Sequence, residues 1–299
     1  MKIGVRIDHF DESSKTIQPY AYIREMAQKA ESLGLDSIWL SDHMLYRFSP
    51  EVTTGTWECW TALTALAEAT NRVELGTLVL CNPFRNPALL AKMAHTLDEI
   101  SGGRLILGIG AGWHQPEFDA FGYPFDRRVG RLEEALQILS PLLKGVSVDF
   151  VGKYYQAQNC VITPLGPRSA IPLLIGALSP RMLHLTARYA DQWNIGWFGD
   201  TQDLAEPLQQ LRDACSAERR DPATLDVTVS VSVAFPDLGK PNSFSKNPLS
   251  GTTKSISQVF QRYAEAGVAH LILQPTPSGY PALERVSAAT QLYREMINQ

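Results

Sequence analysis

The stretch from Val73 to Trp113, VELGTLVLCNPFRNPALLAKMAHTLDEISGGRLILGIGAGW, leaves few folds open. Its first apolar run, Val73 to Leu80, is too short for a buried helix and continuous enough for a parallel strand covered on both faces. Asn86 is placed to cap a helix and Pro87 suits its first turn. Leu89, Leu90, Met93 and Leu97 then recur at helical spacing, which predicts a face packed back on the sheet. Ser101-Gly102-Gly103 stops that helix. Leu105 to Gly110 makes the next strand, and Gly110-Ala111-Gly112 lets backbone amides approach a ligand where a side chain would intrude. The stretch is a βαβ unit with a binding edge.

The rest of the chain repeats the alternation. Lys2 to Ile7 reads as a strand, and Tyr20 to Leu33 as a helix with Ile23, Met26, Ala27, Ala30 and Leu33 on one face, closed by Gly34. Ser37 to Ser41 is a second strand that delivers Asp42-His43 at its C-terminal end. A polar and aromatic loop, Leu45 to Thr56, and a helix from about Trp57 to Ala69 lead into the central unit. After it come a helix from Arg127 to Leu143 and a hairpin from Val146 to Gln156 around Gly152. A strand follows at Pro172 to Ile175, and Ser179-Pro180 opens a helix. Further strands run from Gln192 to Ile195, Leu225 to Ala234 and His270 to Leu273. They alternate with helices from Leu204 to Glu218, from a capping box at Ser255 and Gln258 to Gly267, and from Ala282 to Ile297. About eight strand and helix alternations argue for a single (β/α)8 barrel, because eight parallel strands close without leaving an edge.

At 299 residues, 44% hydrophobic and 19% charged, the chain can bury one large core, which predicts one domain over residues 1–299. A net charge of -4 gives no reason to expect nucleic acid or an anionic membrane surface as a partner. No long apolar segment and no basic-then-apolar leader predict neither a membrane span nor a secretory signal. Cys59, Cys81, Cys160 and Cys215 lack metal-ligand spacing and read as reduced thiols. Gly122 to Arg128 and Pro236 to Gly251 are loops, and the second, PDLGKPNSFSKNPLSG, has the length of a lid or binding loop.

Barrels keep their active sites at the C-terminal ends of the strands. Gathered there are Asp8-His9, Asp42-His43, Leu80 to Phe84, Gly110 to His114, Gly176 to Ser179, Asn194 to Trp197, the long loop and Gln274. The set is rich in glycine, aromatics and neutral polar groups. Without a third ligand beside any His pair it does not favour a metal hydrolase, and no Ser sits in a nucleophile elbow. Such a wall suits a flat, mostly apolar ring with a phosphate-bearing tail.

The strings LGLDSIWLSDH, LGTLVLCNPFRNPALLAKMA, SGGRLILGIGAGWHQPEF and LLIGALSPRMLHLTARYADQWN resemble the bacterial luciferase-like superfamily, and within it the coenzyme F420-dependent oxidoreductases. The resemblance runs from about Lys2 to Gln274. It implies a bulge with a non-prolyl cis peptide near Leu78-Val79, so that Thr77, Leu78 and Val79 back the cofactor ring. It places Gly110, Ala111, Gly112 and Trp113 along the ribityl chain and ring, and Gly176, Ala177, Leu178 and Ser179 at the phosphate, where a helix N-terminus favours an anion. Some FMN-binding relatives hold the phosphate with an arginine where this chain has Ala111, which leans toward F420.

Asp42-His43 matches a family pair whose histidine is proposed to act in proton transfer, a task suited to a group that titrates near working pH. The same pair also reads as structural. Trp113 stands where certain relatives carry a catalytic glutamate, and Glu117 reads as a structural or surface charge. His9, His114, Trp57, Trp60 and Trp197 either shape the substrate pocket or pack in the core. The resemblance implies a cytoplasmic homodimer that moves a hydride between F420 and a small organic substrate. The alternatives are an FMN-dependent monooxygenase fed by a separate reductase, a non-catalytic flavin-binding protein, and a sugar-phosphate enzyme using Gly251-Thr252-Thr253-Lys254.

Overall fold

The apolar runs pair edge to edge in chain order, each parallel to the next. They are β1 (Lys2–Arg6), β2 (Ser37–Leu40), β3 (Glu74–Thr77), β4 (Leu105–Gly110), β5 (Leu173–Gly176), β6 (Gln192–Phe198), β7 (Asp226–Ala234) and β8 (His270–Thr276). β8 returns to β1 through Lys2↔His270 to Val5↔Leu273, and β4 meets β5 through Leu173↔Leu107 to Ile175↔Ile109, so the sheet closes on itself. This is the expected (β/α)8 barrel. The computed structural model describes residues 1–8, 10–11, 16–241 and 247–297.

Crossover helices cover the outside: α1 (Tyr20–Ser32), α2 (Cys59–Ala69), α3 (Pro87–Ser101), α4 (Gln115–Phe121), α5 (Arg128–Leu142), α6 (Pro180–Tyr189), α7 (Ala205–Ala217), α8 (Thr253–Glu265) and α9 (Tyr280–Ile297). Local chemistry sets their ends. Asn86 Oδ1 accepts from Ala88 N at 2.9 Å and Leu89 N at 3.2 Å, and α3 stops at Gly102 with φ 65°. Leu90 and Leu97 face the sheet as expected, but Leu89 is 56% exposed. The buried stripe runs through positions 90, 94, 97 and 101, and Leu89 falls outside it. At α8 the cap is Thr252, whose Oγ1 accepts from Ser255 N, rather than a Ser255–Gln258 box. At α6 the Ser179 side chain makes no capping bond.

Other departures concern short elements over the C-terminal face. The Leu45 to Thr56 segment is a hairpin of Leu45–Ser49 and Val52–Gly55, not a loop. α4 is a helix that the apolar period does not reveal, since two turns carry too few positions for a face. The outer hairpin forms as expected, Val148–Val151 against Gln156–Cys160. The long segment after β7 ends in Leu249–Ser250, which adds to β7 in parallel at Val233↔Leu249.

The main core lies between the strands and the helices. A second cluster fills the barrel itself, with Trp39, Ile106, Leu174 and Ile272 under the partly buried Leu78 and Val79. Trp39 fits because its neighbours have no side chains. A Cβ built on Gly76 would fall inside the Trp39 ring, and one on Gly4 would strike Ser37 Oγ. Trp39 Nε1 donates to Ser37 Oγ at 2.7 Å, and Ser37 Oγ lies 2.7 Å from His270 Nε2. The indole can only donate, so Ser37 Oγ accepts from it, and the His270 ring is the hydroxyl's other partner. Burial, helped by the Lys2 charge, pushes the His270 imidazole down to about 3.

Two outcomes follow from this interior. Gly76→Ala overpacks the Trp39 site and should lower unfolding free energy by about 1–3 kcal/mol in a urea titration. His270 gains a proton near pH 6.5 on unfolding but resists it when folded down to about pH 3, so it removes stability as the pH falls through that window. The loss is at most about 1.4 kcal/mol per pH unit. His270→Gln, which keeps a hydrogen-bonding group, should flatten the dependence of stability on pH between about 6 and 4 by up to that amount.

Candidate active site

At the top of β3 the ladder to β4 slips. Gly76 faces Ile106 and Leu80 faces Ile109, so four steps on one strand match three on the other and one residue is extra. Thr77 makes good the interrupted pairing. Its hydroxyl donates to Gly108 O at 2.8 Å and accepts from Gly108 N at 2.9 Å. The peptide between Leu78 and Val79 is cis, where the resemblance placed it. Both side chains rest on the barrel plug and also line a cavity of about 1140 Å³ at the C-terminal mouth.

Glycines widen the cavity beside this bulge. A Cβ on Gly110 would meet Val79 Cγ2 at 2.9 Å, and Gly176 lies against the same valine. Gly112 has φ +80°, and a Cβ there would meet Cys81 Sγ at 2.5 Å and Phe118 Cζ at 2.7 Å, so glycine is required twice over. Arg128 holds this loop from behind, with Nε donating to Gly112 O at 3.1 Å and its guanidinium 3.5 Å from the Phe125 ring centre. Ala111 and Trp113 complete the wall, Trp113 being 58% exposed. On the neighbouring strand end stand Gly176, Leu178 and Ser179, where α6 begins.

Two of the expected site residues stand behind the wall. Thr77 is buried in the ladder. Ala177 is locked between strands, with its N–H on Asn194 O at 3.2 Å and its carbonyl accepting from Trp193 Nε1 at 3.0 Å. Neither lines the cavity. His114 also stands back from it, and its Nε2 accepts from Arg47 N at 2.9 Å. Burial pushes the His114 imidazole down, which agrees with that accepting role. Trp60 is buried in the core, whereas Trp57 is 48% exposed and donates to Gln18 O, and neither lines the cavity. His9 and the Trp197 side chain lie outside the described residues.

Asp42 and His43 follow β2 and diverge. Asp42 Oδ2 accepts from Cys81 N at 2.9 Å and from Arg85 Nη1 at 2.7 Å, and Oδ1 accepts from Arg85 Nη2 at 3.0 Å. Arg85 also bonds Glu58, which caps α2 through Trp60 N and Thr61 N. Burial pushes the Glu58 carboxyl up, but these bonds and the Arg85 charge outweigh it and hold it below its ordinary value. One carboxylate thus ties β2, the bulge and α2 together. His43 instead turns to the cavity. Its ring packs 4.4 Å from Tyr46 and 5.5 Å from Trp113, centre to centre.

Glu117, from the first turn of α4, is 1% exposed and not a surface charge. Its Oε1 lies 3.0 Å from His43 Nδ1, and its Oε2 accepts from Met44 N at 3.0 Å. The signal for it was the glycine-rich strand end followed by Gln-Pro-Glu, a helix start that aims a carboxylate back at the mouth. Burial pushes the Tyr46 phenol and the Cys81 thiol up, so both stay protonated beside His43. Among the described residues no group of three metal-ligating side chains forms, and no helix is long and apolar enough to cross a membrane. Asp42→Ala should cost about 3 kcal/mol of stability in chemical denaturation, since it leaves a largely buried Arg85 with Glu58 alone.

A family model described as luciferase-like monooxygenase matches residues 1–237. An F420-dependent glucose-6-phosphate dehydrogenase of Amycolatopsis mediterranei (strain U-32) is 32% identical over 221 residues, 71% of this chain and 64% of the relative. The chain therefore spans just under two thirds of that relative's length. A 5,10-methylenetetrahydromethanopterin reductase of Methanolobus tindarius is 28% identical over 257 residues, 86% of this chain and 71% of the relative. Among solved structures, an F420-dependent secondary alcohol dehydrogenase in complex with an F420-acetone adduct aligns with TM-score 0.82 over 98% of this chain and 99% of that one. At 18% identity that likeness shows the barrel fold alone.

Proposed function

The chain belongs to the luciferase-like monooxygenase family, and we propose that within it this protein is an F420-dependent oxidoreductase acting on a small organic substrate at the barrel mouth. The observation that carries the reading is the bulge at Leu78 and Val79, an apolar shelf flanked by glycines and open to a cavity that also holds His43. The relative whose name states F420 dependence supports it.

The residues present fit such a cofactor. Leu78 and Val79 would back a flat ring, and the Gly110, Ala111 and Gly112 backbone, with Trp113, would run along it. Gly176, Leu178 and Ser179 would receive the phosphate at the start of α6, where N–H groups point outward and the helix dipole favours an anion. Thr77 and Ala177 would shape this site from behind. When bound, F420 supplies a carbon centre that gives or takes a hydride. The chain's own contribution is to exclude water with its aromatic wall and to move a proton. His43 accepts the proton of a substrate hydroxyl during oxidation and returns it during reduction. Asp42 holds the bulge in place and does not reach the reacting atoms. The same reading takes residues 1–299 as one catalytic domain that assembles as a homodimer.

Titration of the purified protein with oxidised F420 and with FMN, followed by fluorescence at fixed salt, tests the reading. Saturable F420 binding at least about tenfold tighter than FMN, about 1.4 kcal/mol, is the expected result. The reverse preference would move the assignment to a monooxygenase supplied with reduced flavin by a separate reductase. Binding of neither would remove the cofactor reading altogether.

A further inference from the structure

The two oxygens of Glu117 meet donors of different kinds. Oε2 faces the Met44 backbone N–H, which can only donate. Oε1 faces His43 Nδ1 at 3.0 Å, and the Glu117 and His43 side chains are 2% and 13% exposed. A carboxylate with both oxygens accepting requires a proton on Nδ1, so neutral His43 carries its lone pair on Nε2. Nε2 has no hydrogen bond among the described residues, and the His43 ring lines the cavity. Tyr46 and Trp113 hold the ring plane from two sides.

We propose that Glu117 is the positioning residue of this site, fixing His43 as the Nδ1–H tautomer with Nε2 presented to the substrate. The inference rests on the reading of His43 as the proton partner. In the oxidation of an alcohol, the substrate O–H bond breaks and its proton goes to Nε2. A deazaflavin held at this site would take the C–H electron pair as hydride, so that the alcohol would lose two electrons to become a carbonyl and the cofactor would gain them. The imidazolium that forms shares its Nδ1–H with the buried Glu117 carboxylate, which offsets the new charge. Reduction of a carbonyl runs the same transfers backward.

Glu117→Gln separates positioning from mere support, because it has nearly the same shape. The Met44 N–H compels the Gln oxygen to face it, which leaves the amide NH₂ facing His43 Nδ1. Nδ1 must then accept, and the proton moves to Nε2. Nitrogen NMR of histidine-labelled protein at about pH 8, where imidazole is ordinarily neutral, reads this directly. The chain has 6 histidines, and the His43 signals are those missing from His43→Ala.

The wild type should show a protonated Nδ1 and a bare Nε2, and Glu117→Gln the opposite. With F420 and an alcohol substrate, Glu117→Gln should lower kcat by on the order of 10²-fold with KM changed only a few-fold. The double variant with His43→Ala should be no slower than His43→Ala alone. A bare Nδ1 in the wild type, an unmoved proton in Glu117→Gln, or losses that multiply in the double variant would each overturn the proposal. Should Glu117→Gln fail to fold, the wild-type tautomer decides. The tautomer is read without cofactor, so a failure of F420 binding and a failure of this proposal are seen separately.

Discussion

The indole of Trp39 occupies the inside of the barrel, and much of the molecule is arranged around that volume. Eight strands can close only if their interior is filled without overlap. Here one large ring is admitted by missing side chains at Gly4 and Gly76. The ring's N–H has a partner in Ser37, whose hydroxyl is bonded in turn to the buried His270, held neutral by its surroundings. Ile106, Leu174 and Ile272 pack with this ring, and Leu78 and Val79 lie on them. The roof of the plug is therefore the floor of the cavity. A flat apolar shelf at the mouth needs no separate device, because the interior packing that closes the barrel also makes the shelf.

Above that floor, consecutive residues take opposite duties. Asp42 and His43 follow β2, and their side chains engage different partners. The carboxylate faces Cys81 and Arg85 and pins the bulge, while the imidazole faces the cavity and is met from behind by Glu117. The carboxylates that border the cavity beside His43 are held by partners in this way. The acids near His43 are engaged with a guanidinium or a backbone N–H, and the thiol and phenol beside it stay protonated.

How much of this could be read from residues alone depended on the range of the interactions involved. The barrel was legible because strand and helix periods repeat along the chain and each βαβ unit is local. Asn86-Pro87 announces a helix start by chemistry confined to four residues, and the structure agrees. Thr252 was passed over for Ser255 because both bear hydroxyls at capping distance, and the backbone geometry that chooses between them is not written in either. The hairpin at Leu45–Ser49 and Val52–Gly55 lacks a glycine turn signal, and α4 is too short for a period. Glu117 reads as a structural or surface charge for that last reason, since its partners lie 74 and 73 residues away in sequence. The cavity-facing members of the glycine loops were legible as strand ends. That Ala177 and Thr77 face inward depends on pairings across the sheet.

The segment after β7 is secured at both extremities. Asp237 pairs with Arg285 of α9 at 2.5 Å, and Leu249–Ser250 joins the barrel edge in register with β7. A connection clamped at its two feet can change in length or composition without shifting the strands that carry it, because loop closure costs rise only slowly with length. Lys240 and Pro241 at the near end already line the cavity. Both feet of this connection are therefore fixed by contacts with the barrel edge and α9, independently of what lies between them.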